Sequence, residues 1–238
     1  MKATALEFRL RFLIHGLIYT LGLTAPWNKL FHLDTIRTWQ LLAAYCYRYA
    51  HLSFSTATVT VLVVATILAL LGAALRTWGS AYLGASVVHD ANLLANQVVA
   101  AGPYRFLRNP LYLGTFLHTL AVAILMPPSG AIFAILAIGL FQLRLIAAEQ
   151  VFLSDKLGDP YRAYCASVPS LFPSLTPRVA ASQTHPAWLL AILGELYMWG
   201  VAAAFIIAGP RYNAILVIQG VIIALGASLV ARAFIPKQ

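Results

Sequence analysis

The chain has 238 residues, 61% of them apolar and only 10% charged, where an ordinary soluble domain is near a quarter charged and below half apolar. A soluble fold of this length cannot hide so much apolar surface, but a bilayer solvates it, so the composition excludes the soluble classes. The formal charge of +9 is dispersed between the apolar segments, a pattern of topology control and attraction to anionic headgroups that argues for no nucleic acid.

Lys2, Arg9 and Arg11 precede a first apolar run, which ends in Ala25-Pro26-Trp27 without a small-x-small cleavage site. It therefore reads as a retained helix, about Leu10 to Ala25, carrying His15. Thr38 to Ala50, with Trp39, Tyr45, Tyr47 and Tyr49, has the aromatic content of an interfacial helix, or is a seventh span. Thr56 to Leu75 is free of charge and long enough to cross. The segments Leu111 to Met126 and Gly130 to Ile146 flank Pro127-Pro128-Ser129, which predicts a tight helical hairpin, because two prolines stop one helix and a second restarts just beyond. Ala187 to Ala208 and Ala214 to Phe234, split by Gly209-Pro210-Arg211, form the last pair. The expectation is an all-α, polytopic membrane protein of about six transmembrane helices.

Six spans place both termini on one side. Twelve basic residues fall there, including Arg11, Arg76, Arg105, Arg108 and Arg144, against Lys29, Arg37, Arg48 and Arg211 on the other. The richer side is expected to be cytoplasmic. The two polar stretches, Ser80 to Gly102 (with His89, Asp90, Asn92, Asn96 and Gln97) and Ser154 to Pro177, fall on the same side. Chemistry is therefore expected at the cytoplasmic ends of the central hairpin. The cysteines, Cys46 and Cys165, lie far apart and suggest neither a disulfide framework nor a metal site.

The informative block is Gly102-Pro103-Tyr104-Arg105-Phe106-Leu107-Arg108-Asn109-Pro110-Leu111-Tyr112-Leu113-Gly114, followed by Glu149 and then by Leu157-Gly158-Asp159-Pro160-Tyr161 and Tyr164. Gly102-Pro103 makes a turn, and Pro110 starts a helix in its first turn, where the missing N–H costs nothing. The free N–H groups of that helix point into the cytoplasmic mouth. Arginines flank the turn and Glu149 adds a lone carboxylate at the same face, so both an anionic and a cationic group of one ligand could be held there.

This block resembles the C-terminal half of the isoprenylcysteine carboxyl methyltransferases, whose pattern overlaps that of the membrane phospholipid N-methyltransferases. The pattern is Gly-Pro-Tyr, Arg-His-Pro or Arg-Asn-Pro, Tyr-x-Gly, a helical hairpin, Glu-Glu, and a Phe-Gly-x-x-Tyr-x-x-Tyr tail ending in Val-Pro. The matches run through Gly102, Pro103, Tyr104, Arg108, Asn109, Pro110, Tyr112, Gly114, Glu149, Leu153, Gly158, Tyr161, Tyr164, Val168 and Pro169. They cover roughly residues 76 to 173. The second Glu of the family pair is Gln150 here, and the frequent His of Arg-His-Pro is Asn109.

The resemblance implies an S-adenosyl-L-methionine pocket at the cytoplasmic ends of the hairpin, a lipid-like or prenylated substrate reached from the lipid bilayer, and carboxylate O-methylation as the favoured reaction. Arg108 and Asn109 are the expected catalytic residues, Arg108 orienting an acidic group and Asn109 hydrogen-bonding near the transfer site. Gly102, Pro103, Tyr104, Pro110, Tyr112, Leu113, Gly114, Glu149, Tyr161 and Tyr164 are the expected cofactor-binding residues, with Glu149 taking the cofactor's ammonium group. The chain divides on this reading into N-terminal helices (1–75), a methyltransferase core (76–180) and a C-terminal hairpin (181–238). Fifteen glycines include no Gly-x-Gly pair, so a soluble dinucleotide-type loop is not expected.

Several residues carry a plainer reading beside a functional one. Arg105 and the tyrosines suit an interfacial belt. Glu195 lies inside a span, where a charge signals a partner or a function, and His15 and His118 are the candidate partners. His118 itself reads as a packed histidine. Trp78, Tyr82 and Gly84 lead into the polar stretch and could shape the cavity. A sterol-reductase-like NADPH enzyme is the first rival, but a 2′-phosphate site wants arginines near the tail, where only Arg162 is close. A transporter or scaffold is the second, although its expected broken, repeated helices are not visible.

Overall fold

The computed structural model describes residues 2–25, 27–33, 36–84, 88 and 98–234, the side chain of Arg232 excepted. The stretch holding His89, Asp90, Asn92, Asn96 and Gln97 lies outside the described residues, as do Pro26 and the last four residues. Among the described residues the chain is helical and has no strand. Its α-helices are α1 (Ala5–Arg9), α2 (Arg11–Thr24), α3 (Trp27–Phe31), α4 (Thr38–Tyr49), α5 (Phe54–Leu83), α6 (Pro110–Ala123), α7 (Pro128–Leu157), α8 (Asp159–Ser167), α9 (Trp188–Gly194), α10 (Leu196–Ala208) and α11 (Ala214–Arg232).

By length and apolarity α5, α7 and α11 can cross a bilayer, and the α9–α10 pair, bent by 65°, makes a fourth span if it crosses as one. The six spans expected from sequence are thus three or four among the described residues. With 14 residues each, α2 and α6 reach only about 21 Å, short of a hydrocarbon core of roughly 30 Å. α5 and α7, at 30 residues, extend about 45 Å and project beyond it. The exposed stripe Ile132, Leu136, Leu140 and Leu143 on α7 recurs at helical spacing, as on a face solvated by lipid.

The expected hairpin is present as α6 and α7. Pro127 caps α7 and Pro128 occupies its first turn, where a proline sacrifices no helical hydrogen bond. α4 has 12 residues, too few to span, and its N-terminus closes the turn of this hairpin. Thr38 N–H donates to Met126 O at 2.9 Å and Trp39 N–H to Ile124 O at 3.0 Å. The Arg37 guanidinium reaches Leu125 O at 3.1 Å. Orphan donors at the start of one helix thus satisfy orphan carbonyls at the end of another, which lipid cannot do.

Close backbone approach fixes the other pairs. A Cβ on Gly130 would lie 2.1 Å from Gly22 O, binding α2 to α7, and one on Gly114 would lie 2.9 Å from Gly72 O, binding α5 to α6. The main core is built from α2, α5, α6, α7, α10 and α11 around Val122, Leu125, Ile138, Val201 and Phe205. α1 folds back on α7: Ala3 N–H donates to Arg144 O at 2.9 Å, and Arg144 pairs with Glu7 at 2.8 Å.

Two charges assigned by sequence to an aqueous face are inside the bundle. The Arg11 residue is only 8% exposed. Arg76 has a side chain 13% exposed and is ion-paired to Glu195. For Arg76 the length of its helix explains the displacement, because α5 continues two turns past the charge-free run that marked the expected span.

Candidate functional site

Along α7 the residues Gln142, Leu145, Glu149, Leu153 and Leu157 repeat at three- and four-residue intervals, so one face of the helix carries them all. That face borders a cavity of about 980 Å³. α6 faces it with Pro110, Leu111, Tyr112, Thr115 and His118. The hairpin therefore forms two walls, and the cavity runs along α7 for 15 residues, or about 22 Å. The N-terminal segment adds Phe8 and Arg11, α8 adds Tyr161 and Tyr164, and α9 to α11 supply Glu195, Tyr197, Val221 and Leu225. All three segments of the expected division contribute.

At the tail end the geometry is set by hydrogen bonds between the Gly102–Asn109 turn and the strap after α8. Arg108 N–H donates to Pro169 O, Ser174 N–H to Phe106 O and Arg178 N–H to Arg105 O, each at 2.9 Å. Asn109 Nδ2 donates to both Ser170 O and Ser170 Oγ at 3.0 Å. Tyr164 OH donates to Tyr104 O at 2.8 Å. The Val-Pro of the tail motif thus lies where the strap meets the Arg-Asn-Pro turn, with Val168 1% exposed. Burial pushes the phenols of Tyr104, Tyr161 and Tyr164 above their ordinary range, so they act as neutral walls.

Across the hairpin, Tyr112 OH donates to Glu149 Oε1 at 2.6 Å. The other Glu149 oxygen has no hydrogen bond recorded among the described residues, so the carboxylate can still take a cationic donor. Arg108 faces the same cavity, and its buried Nε has no partner among the described residues, nor has Tyr104 OH.

Of the twelve expected site residues, Tyr104, Arg108, Asn109, Pro110, Tyr112, Glu149, Tyr161 and Tyr164 line this one cavity. Gly102, Pro103, Leu113 and Gly114 do not. Gly102 makes the turn, with φ +54° and the Tyr82 ring packed against it, and Pro103 is buried beneath. Gly114 faces α5, where a Cβ would meet Arg76 Cγ at 2.6 Å. Its lack of a side chain lets Arg76 pass across α6 into the cavity wall.

The partner of Glu195 is neither His15 nor His118. Arg76 binds it through Nε at 2.6 Å and Nη2 at 2.8 Å, and Nη1 donates to Thr115 Oγ1 at 2.7 Å. His15 instead contacts Arg11 O at 2.6 Å through Nδ1. His118 lies edge-on to the rings of Tyr19 and Tyr197. Sequence reasoning also missed Gln142, although an amide inside a span is itself a signal. Arg162, the only arginine close to the tail for a 2′-phosphate, pairs with Asp159 at the surface with 63% of its side chain exposed.

Residues 60–159 match the family model described as phospholipid methyltransferase. The match begins within α5, covers the whole hairpin and ends at the first residue of α8, so the tail tyrosines and the strap lie beyond it. Comparisons with curated proteins and with solved structures give no match.

Proposed function

We propose that this membrane protein, whose residues 60–159 are of the phospholipid methyltransferase family, transfers a methyl group from S-adenosyl-L-methionine to a lipid-like acceptor. The family is one of membrane methyltransferases; the donor, the acceptor and the residue roles are our reading. The observation that carries it is the convergence of the Arg-Asn-Pro turn, the Tyr112–Glu149 pair and the tail tyrosines on one cavity.

The residues suit this donor. It offers an ammonium group, a carboxylate and an aromatic base, together with an electrophilic methyl on a sulfonium. The Glu149 oxygen not occupied by Tyr112 takes the ammonium group, Arg108 the carboxylate, and Tyr104, Tyr161 and Tyr164 provide ring faces and a free phenol. Asn109, tied to Ser170, holds the start of α6 in place beside them. Displacement at a sulfonium methyl disperses charge, so alignment in a water-poor pocket supplies most of the rate. On the six-span reading, the bias of basic residues favours a cytoplasmic mouth, since with Arg11 and Arg76 removed from the count it is still ten against four. A carboxylate remains the favoured acceptor.

Calorimetric titration of the detergent-purified protein with S-adenosyl-L-methionine and its demethylated product tests the donor. Saturable micromolar binding is expected, weakened about tenfold or more in Glu149→Gln, since hydrogen bonds to charged groups are worth about 1.5–3 kcal/mol. Absence of binding in the wild type would reject the reading.

A further inference from the structure

The cavity continues well below the proposed cofactor groups, and two residues that line it there carry buried polar atoms without a partner among the described residues. His118 is 1% exposed with neither ring nitrogen hydrogen-bonded among the described residues, and Gln142 is 5% exposed with Nε2 likewise unpartnered. Both line the cavity.

Their depths agree. α6 and α7 run antiparallel, and the Tyr112–Glu149 bond sets their register. His118 is six residues deeper along α6 and Gln142 seven residues deeper along α7, about 9 and 10 Å. Two helices thus present unsatisfied polar side chains at one level inside the bundle, where each such group is costly. The formal charges lining this part of the bundle, Arg76 and Glu195, neutralise each other through two bonds. Leucine and valine from α2 and α11, including Leu17, Val221 and Leu225, form the facing wall.

We propose that His118 and Gln142 form a mid-membrane subsite for the hydroxyl group of a long-chain, otherwise apolar alcohol. A neutral imidazole carries one donor and one acceptor, and the amide NH2 donates. A hydroxyl complements both, giving its proton to the bare ring nitrogen and accepting from Gln142. An anion finds no uncompensated cation at this level, and a pure hydrocarbon leaves both side chains unsatisfied. The subsite stands on the cavity and does not rest on the methyl-transfer reading.

The probes are tritiated farnesol and, as competitor, farnesene, a hydrocarbon of similar skeleton, added to the full-length protein in detergent. The wild type is expected to prefer the alcohol by about tenfold or more, and His118→Leu/Gln142→Leu to lose that preference. Gln142→Met, a milder change, should lower it several-fold by itself and guards against misfolding of the double variant. Equal affinity of alcohol and hydrocarbon in the wild type, or a preference unchanged in Gln142→Met, would overturn the subsite and leave both groups to water alone. Titration of each protein with the demethylated cofactor separates the two readings. Loss of that binding with retained alcohol preference in the wild type sinks the methyl-donor reading and leaves the subsite standing.

Discussion

Two carboxylates face the same cavity, and the protein treats them in opposite ways. Glu195, at the break between α9 and α10, is 2% exposed and held by Nε and Nη2 of one guanidinium, whose Nη1 reaches Thr115. Glu149, near the tail end of α7, accepts one bond from a neutral phenol. The first is saturated and links α5 and α6 to the C-terminal helices; the second keeps capacity for a cation. Burial of a charge therefore does not by itself mark a functional site, and what separates the two is whether the protein has already supplied the counter-charge.

The same substitution at both sites should break this comparison most visibly. Glu195→Gln leaves the Arg76 charge unpaired and is expected to destabilise the fold by about 3–5 kcal/mol, the usual consequence of removing one member of a buried pair. Replacing both members, Arg76→Met with Glu195→Leu, should recover most of that loss. Glu149→Gln should leave the unfolding midpoint nearly unchanged while loosening the cofactor. Detergent-denaturation curves beside calorimetry check all three proteins, and equal destabilisation by the two Gln substitutions would erase the distinction.

Gly114→Ala probes how the clamp is admitted. The new methyl group would press on Arg76 Cγ at 2.6 Å and Gly72 O at 2.9 Å, with a loss of about 1–3 kcal/mol from overpacking. Melting should fall without a specific change in cofactor affinity beyond the folded fraction. A selective loss of cofactor affinity would return Gly114 to the binding wall.

The smallest expected effect is at Asn109→Ala. Removing its bonds to Ser170 should destabilise locally by about 1 kcal/mol. The Arg108 amide, bonded to Pro169 O, should then exchange its hydrogen several-fold faster. Unchanged exchange would show that the strap is held without Asn109.

The membrane class, the α6–α7 hairpin and the block from Gly102 to Gly114 were legible in the sequence because each rests on local signals: apolar run length, paired prolines, a glycine turn and a helix-starting proline. Their convergence with Glu149 and the tail tyrosines was legible only through motif order, since no local rule joins residue 109 to residue 149 or 170. Of the six expected spans, three or four pass by length and apolarity among the described residues, because an apolar run of 16 residues does not reveal where its helix ends or bends. Gly114 was read with the motif, whereas the approach of α5 set its role.

Composition alone determined that lipid is the solvent for most of this surface, because transfer of apolar area out of water depends on its amount and not on its arrangement. Tertiary structure decided which buried polar groups are spent on one another and which remain without a partner among the described residues. Hydrogen bonds and ion pairs act over a few ångströms, and only the packing of α5, α6, α7 and α9 brings Arg76 to Glu195 while leaving Glu149, His118 and Gln142 facing the cavity.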